Sequence, residues 1–474
     1  MTFLRRQSYR LLLTSLAVMI SGLSSPSYAD SLQDALISVY NKNPKLQAER
    51  ARLREIDENY IQARAQGRPQ VAASGQYTLD ATYLRGANLF SGGDGEGGGG
   101  SDWVYGNPRA AQIQLIQPLY QGGRVKALKQ QAMSNILAAR ESLRAVETDL
   151  FLQSANAYAD VLRDEEAARI RRNNVMVLTR QLAASQARFD VGEGTRTDIA
   201  QSESRLAGAE AGLSQAEAQL EISRASYKRL VGRMPLDLQT IPQFVRPKDL
   251  PAALASAREN NPQLLAAYMA EKAGQAAINV AKRQHRPTVS LNGTISAQRD
   301  QFFGLSSTDQ AAITAQVSIP IFSGGVNKSR LRQARHAKTR LGFEARDTEW
   351  AIDAAITQIW AQLDAAKQSL VASQKQLSAA ELAFEGVVLE QSVATRTQLD
   401  VLNAEQEVLN AKLNVINAQR SLDGVTFQLL ATIGVFDVEG LSLPAERYDP
   451  AENLNSVRDS GLDHILEKFK GKTQ

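Results

Sequence analysis

The chain has no cysteine, which excludes disulfide bonds, thiolate chemistry and lipid attachment through an N-terminal Cys. Histidine occurs only at His285, His336 and His464, never with a second imidazole at metal-ligand spacing. No Gly-x-Ser-x-Gly elbow or comparable nucleophile motif is present, so no catalytic residue, cofactor or metal is expected. Aromatic residues make up 6% of the chain and do not interleave with basic clusters, which argues against nucleic acid as a partner. Beyond the first 29 residues, no apolar run is long enough for a helical membrane span.

Those first residues read as an export signal. Arg5, Arg6 and Arg10 precede the apolar "LLLTSLAVMISGL", and "SYA" (27–29) supplies a small-residue cleavage site. The apolar run falls short of the about 20 residues that a transmembrane anchor needs. Cleavage after Ala29 removes three arginines and no acid, taking the formal charge from +4 to +1. The basic pI is then partly a property of the signal.

Proline and glycine are also missing over a very long stretch. Neither occurs from Arg124 to Phe189, which at 1.5 Å per residue makes roughly 100 Å of helix. A matching helical run extends from about Lys328 to Val393. The segments that follow carry a heptad seam. Ile199, Ser202, Leu206, Ala209 and Leu213 step by three and four onward to Leu230, and Val401, Ala404, Val408, Ala411 and Val415 do the same onward to Leu429. Alternating large and small residues let antiparallel helices pack as knobs into holes.

What is present is present twice. "NKNPKLQAE" (41–49) matches "ENNPQLLAA" (259–267), and "GRPQV" (67–71) matches "HRPTV" (285–289). "QPLYQGGR" (117–124) matches "IPIFSGGV" (319–326), "FDVGEGTRTDI" (189–199) matches "LEQSVATRTQLDV" (389–401), and "RLVG" (229–232) matches "ATIG" (431–434). The chain therefore reads as two copies of one unit. After the signal (1–29), repeat 1 covers 30–234, with strands at about 69–85 and 109–118 and helices at about 31–66, 124–190 and 195–232. Repeat 2 covers 249–434, with strands at about 287–299 and 309–320 and helices at about 249–284, 326–393 and 396–434. An irregular tail is expected over 435–474.

The strands show period two. Val71, Ala73, Gly75 and Tyr77 alternate with Gln70, Ser74, Gln76 and Thr78, and Val289, Leu291 and Ile295 alternate with Ser290, Asn292 and Thr294. That pattern fits a half-buried soluble sheet or a membrane-spanning strand of about ten residues. The Gly pairs Gly122–Gly123 and Gly324–Gly325 read as sharp strand-to-helix joints, with Pro118 and Pro320 expected to end the strands. "SGGVNKS" (323–329) superficially suggests a phosphate loop, but its sister "QGGR" lacks the Lys-Ser. The Gly-rich run at 91–102 reads as a flexible surface loop. The short return helices reach full length if 31–66 and 249–284 stack end to end with them.

Taken together, "NKNP", "QPLYQGGR", "RFDVGEGTRTDIAQSESRL" (188–206), "VSIPIFSGG" (317–325) and "TRTQLDVLNAEQEVLNA" (395–411) resemble the TolC family of outer-membrane channel proteins, in family order across nearly the whole mature chain. The resemblance implies an α+β membrane protein. Three chains, each giving four strands, would form a twelve-stranded β-barrel continued by a long periplasmic α-helical barrel. Four strands cannot close alone and open edges are not tolerated in lipid, so closure by several chains favours the membrane reading of the strands. The implied role is a passive exit duct in the outer membrane of a Gram-negative bacterium. Its implied partners are outer-membrane lipid, a periplasmic adaptor and an inner-membrane ABC or RND transporter. The wording near the first tip resembles the type I protein-secretion branch; multidrug efflux is the alternative. From another class, a periplasmic coiled-coil adaptor or scaffold is the competing reading.

The resemblance also assigns candidate site residues. Val191, Gly192, Glu193, Gly194, Thr195, Arg196 and Thr197 form one tip turn, and Val393, Ala394 and Thr395 the other, both as adaptor docking points. Asp198, Arg396 and Asp400 are implied to lie at a pore entrance, with Asp198 and Arg396 in a bond network that holds it closed. Gln391 and Asn403 stand where some relatives carry a network tyrosine and a second acidic ring. Helix capping alone would account for Asp198 and Asp400, each set just before the first heptad position of its helix.

Overall fold

The computed structural model describes residues 30–84, 102–300, 307–393 and 395–459. The export signal, most of the Gly-rich run, Ala394 and His464 lie outside these residues. In chain order the elements are α1 (Leu32–Lys42), α2 (Pro44–Ala65), β1 (Gln70–Tyr77), β2 (Asp80–Leu84), β3 (Asp102–Gly106), β4 (Arg109–Gln121), α3 (Arg124–Asp190) and α4 (Arg196–Val231). The second half adds α5 (Leu250–Asn260), α6 (Pro262–Arg283), β5 (Thr288–Arg299), β6 (Ser307–Ser318), α7 (Val326–Ser392), α8 (Gln398–Thr432) and α9 (Glu452–Asp459). No helix among the described residues is long and apolar enough to cross a membrane.

Four strands form one antiparallel sheet in the order β1-β4-β5-β6. Each half contributes a hairpin, and β4 joins β5 in the middle. The strand expected over 69–85 is interrupted. Thr78 and Leu79 leave the ladder, opposite Asn107 and Pro108, and beyond them β2 and β3 continue as a separate two-stranded ribbon. A proline has no N–H to give the ladder, although Thr78 still donates to the Pro108 carbonyl at 3.0 Å. Pro118 does not end its strand. β4 runs through it to Gln121, absorbing the residue as a register shift between Pro118 and Tyr120. In the second half β6 does stop at Ser318, two residues before Pro320.

The Gly pairs turn the chain from sheet to rod. Gly122, Gly123, Gly324 and Gly325 all have positive φ, between 58° and 85°, where a side chain is strained. Gly123 and Gly325 are the N-caps of α3 and α7, each 67 residues long.

The return helices α4 and α8 have 36 and 35 residues. Their missing length comes from α2 and α6 through one repeated device. The helices expected at 31–66 and 249–284 are each broken in two at an Asn-Pro step. Asn43 caps α2 by accepting from Lys45 N (2.9 Å), while its amide donates to the Leu230 carbonyl (2.9 Å) near the end of α4. Asn261 caps α6 through Leu264 N (3.0 Å) and donates to the Thr432 carbonyl (2.8 Å) of α8. One side chain thus satisfies an orphan donor of one helix and an orphan acceptor of the next. Pro44 and Pro262 follow at the first helical position, where no N–H is needed.

The rods lie in the same order as the strands. Toward the sheet, α3 packs between α2 and α6, and α6 against α7; toward the far end, α3 packs between α4 and α8, and α8 against α7. The main hydrophobic core is a collar partway along. Phe151 and Tyr158 of α3 meet Tyr227 of α4, Phe427 of α8 and Leu36 and Val39 of α1, all nearly inaccessible to solvent. Phe436 stacks with Phe427 (5.7 Å) and meets Phe151 and Phe244 edge-on.

The tail is not irregular throughout. Phe436, Val438 and Leu443 are buried, and α9 follows with Leu454 buried on it. Arg50 of α2 sits between the rings of Tyr40 (4.4 Å) and Tyr448 (4.9 Å). Asn453 donates to Asp57 at 2.9 Å, and Arg144 pairs with Asp437 at 3.1 Å. The linker between repeats is pinned as well. The Tyr158 hydroxyl lies 2.7 Å from the Asp30 carbonyl and 2.6 Å from that of Gln239.

Candidate functional site

The far end of the rods carries two helix-to-helix turns, one per repeat. In the first, α3 ends at Asp190 and Val191 is its C-cap. Gly192 takes φ 79° and donates to the Phe189 carbonyl, and Glu193 N donates to the Arg188 carbonyl at 2.8 Å. A Cβ on Gly194 would lie 3.1 Å from Phe189 N, so the turn closes tightly there. Thr195 caps α4 with a reciprocal pair: Asp198 N donates to Thr195 Oγ1 (3.2 Å), and the Asp198 carboxylate accepts from Thr195 N (2.9 Å). Arg196 and Thr197 are already inside α4.

The second turn has no glycine. Val393 is the C-cap of α7, and Thr395 donates both its N–H (3.0 Å) and its hydroxyl (2.7 Å) to the Glu390 carbonyl. Thr397 caps α8, exchanging bonds with Asp400 as Thr195 does with Asp198. The capping reading of both aspartates therefore holds in detail. Hydrogen bonds from the Thr195 hydroxyl and N–H keep Asp198 below the usual carboxylate range, and the Thr397 N–H and hydroxyl do the same for Asp400.

The identical words "TRT" in the two turns are not equivalent in space. The caps are the first threonine of one (Thr195) and the last of the other (Thr397), so Arg196 is helical while Arg396 precedes its cap. Arg396 accordingly pairs with Glu390 at 2.8 Å, and within one chain it does not pair with Asp198.

Polar bonds tie the two turns together. Gln398 Oε1 accepts from Arg188 Nη2 (2.9 Å) and from Gln391 Nε2. Asn403 Oδ1 accepts from Arg205 Nη2 at 2.9 Å. The Gln398 amide nitrogen is buried without a partner among the described residues. Sequence reasoning passes over Arg188, Arg205, Gln398 and Glu390. A signal exists for one pair: Arg188 and Glu390 sit at matching places of the two repeats with opposite charge. Of the candidates, Asn403 bonds across the two hairpins and Gln391 bonds Gln398 within its own, whereas Asp198, Asp400 and Arg396 act within their own turns. Among the described residues no group of His, Cys, Asp or Glu is placed to hold a metal ion.

Comparison with known proteins places this architecture. The family model for outer membrane efflux proteins matches residues 36–233 and again 253–435, once per repeat. The chain is 31% identical over 454 residues to the outer membrane efflux protein BepC of Brucella suis, covering 94% of this chain and 95% of BepC. It is 25% identical to the outer membrane protein TolC of Escherichia coli K12, covering 83% and 80%. Its fold is similar to the crystal structure of the outer membrane protein VceC from Vibrio cholerae, with TM-score 0.67 at 19% identity over 85% of this chain and 96% of that one. These matches set aside the periplasmic-adaptor reading. The chain belongs to the outer membrane efflux protein family, the TolC-like channels of the bacterial outer membrane, in which a short sheet continues into a long helical rod.

Proposed function

We propose that this chain is the passive exit duct of a tripartite export system. Three copies close a twelve-stranded barrel in the outer membrane, and their rods continue it as a tunnel. A periplasmic adaptor seats on the tip turns, and an ABC or RND transporter in the inner membrane supplies cargo and energy. One observation carries the reading: strands and rods share one order, and both layers end open on the same two sides, at β1 with α2 and α4 and at β6 with α7. Unpaired strand edges are not tolerated in lipid, and β5 and β6, 12 residues each, are long enough to span it. Eight strands would leave an interior filled by side chains, whereas twelve leave room for a lumen.

The tip is then the movable entrance. Asp198, Asp400 and Arg396 sit at the turns, Asn403 accepts one of the bonds that link the two hairpins, and Gln391 supports Gln398, which accepts the other. For cargo, the 31% identity to BepC, named as an efflux protein, favours small-molecule efflux. Secreted protein is the second reading, favoured by the wording of the first tip.

A deletion strain separates these readings. Sensitivity to detergents and dyes, restored by the gene, supports efflux; loss of a secreted protein from the medium, restored likewise, supports type I secretion. Recovery of the protein in the soluble periplasmic fraction, with neither phenotype, would overturn the duct.

A further inference from the structure

We propose that the sheet-side ends of the rods form a cationic belt that binds headgroups of anionic phospholipids in the periplasmic leaflet of the membrane. This rests on the reading above that the strands span the bilayer, and it names what meets the chain at that boundary.

The charge pattern is one-sided. No Asp or Glu occurs at 59–79, 103–140, 272–299 or 310–343, although these four stretches hold 18 Lys and Arg. They take in most of the main sheet and the adjoining ends of α2, α3, α6 and α7, which lie side by side. At the opposite end of the sheet the described arginines are paired, Arg109 with Asp300 (3.4 Å) and Arg299 with Asp309 (2.7 Å). The cationic surplus therefore belongs to the joint.

Each of the four rods brings one cation to the same face. The tail bonds Asp57 of α2 through Asn453 and Glu147 of α3 through Val438 N. Glu349 of α7 meets Tyr268 of α6 (3.3 Å) and Arg258 of α5 (3.6 Å). The tail and α5 thus cover one face of rods whose flanks are taken by their neighbours. That bulk, three times over, would fill a tunnel, so the covered face is the outer one. Steps of seven toward the sheet stay on it, drifting about 20° per heptad. From Asp57 they reach Arg64, from Glu147 Lys126, from Tyr268 Lys282, and from Glu349 first Arg335 and then Lys328.

The four cations share one height. Arg64 and Lys282 stand one residue before the ends of α2 and α6, and Lys126 and Lys328 two residues after the starts of α3 and α7. All lie within about 3 Å of helix rise from the joint. Because β5 and β6 are long enough to span the hydrocarbon, the joint stands at the level of the lipid phosphates.

These cations also lack partners that others have. Lower on the same face, Arg144 pairs with Asp437 and Arg258 with Asp353, while Glu271 is taken by Lys338. Among the described residues Lys126, Lys282, Lys328 and Arg335 form no ion pair. Three copies would crowd such like charges into one ring, a repulsion that an anionic surface relieves. Their long stems can lie along apolar surface while the charged heads reach phosphate.

Nanodiscs of mixed phosphatidylcholine and phosphatidylglycerol, with trace spin-labelled lipid of either headgroup, test the belt. The motionally restricted lipid around the trimer should favour phosphatidylglycerol about fivefold, the weight of one cation at an anionic surface. Molar salt should abolish most of that preference. Lys126→Gln with Lys328→Gln should lose most of it as well. Arg124→Gln with Arg330→Gln removes the same charge two residues away, on nearly the opposite face, and should keep it. No preference in the parent, a preference that survives molar salt, or equal loss in the two variants would overturn the belt and leave the duct standing. A protein that stays monomeric and does not enter nanodiscs would overturn both.

Discussion

The collar and the tips use the same rods in opposite ways. At the collar, Phe151, Tyr158, Tyr227, Phe427 and Phe436 fill a core into which the tail, the inter-repeat linker and α1 are all drawn. At the tips the buried contacts shrink to small or single groups, such as Ser185 and Ser202, whose hydroxyls lie 3.1 Å apart, and the hairpins meet through Arg188–Gln398 and Arg205–Asn403. A long helix gains most of its stability from packing, so it holds firmly where it is wrapped and opens most easily where it is not. The contrast extends to titration. Burial pushes Glu147 in the collar up to about 7, opposed by the Val438 N–H it accepts at 3.0 Å, while the tip aspartates are held low by their capping bonds.

The largest effect should come from the collar. Phe436→Ala removes a fully buried ring and should cost about 3–5 kcal/mol, read as a large fall in melting temperature. A change as small as that of an exposed residue would mean the tail is not part of the core.

Glu147 tests the electrostatic half of the comparison. Its folded pKa is raised, so its contribution is favourable below the ordinary glutamate value of 4.5 and is lost as pH rises through about 7. Glu147→Gln keeps an acceptor for Val438 N and should stabilise the collar at pH 8 by on the order of 3 kcal/mol. At pH 4 it should do almost nothing. Equal effects at both pH values would contradict the burial argument.

The tip aspartates carry the opposite sign. Their folded pKa values are depressed, so the capping stabilisation is present above the ordinary aspartate value of 3.8 and fades as pH falls through the lowered values. Backbone exchange at the tips, corrected for intrinsic rates, should rise in that window before the collar's does. Asp400→Asn keeps the acceptor for Thr397 N and should leave the melting temperature unchanged. If three copies ring a pore, it should still lower cation selectivity in planar bilayers. Unchanged selectivity would leave Asp400 a helix cap and nothing more.

Much of this was legible in the residues because it rests on local rules. The proline- and glycine-free stretch sets the first 67-residue rod and the repeat predicts the second, the Gly pairs set the left-handed joints, and the heptad seams set the return helices. Other parts depend on partners that a linear pattern does not show. Pro118 stays in its strand because β4 bulges at Leu119 against β5, and the tail orders because Arg144, Arg50 and Asp57 wait for it on other helices. The Asn-Pro words were visible as a repeat, but their double bond to two helices needs the coaxial neighbour. At the tips, the shared "TRT" misleads because it is displaced by two residues relative to the caps.

The most direct test of the account cuts the inter-turn bonds without altering charge. Gln398→Ala combined with Asn403→Ala removes the acceptors of Arg188 and Arg205. In planar bilayers, single-channel conductance should rise several-fold while the melting temperature and the trimer stay as in the parent. Unchanged conductance of an intact trimer would contradict the claim that these bonds hold the entrance.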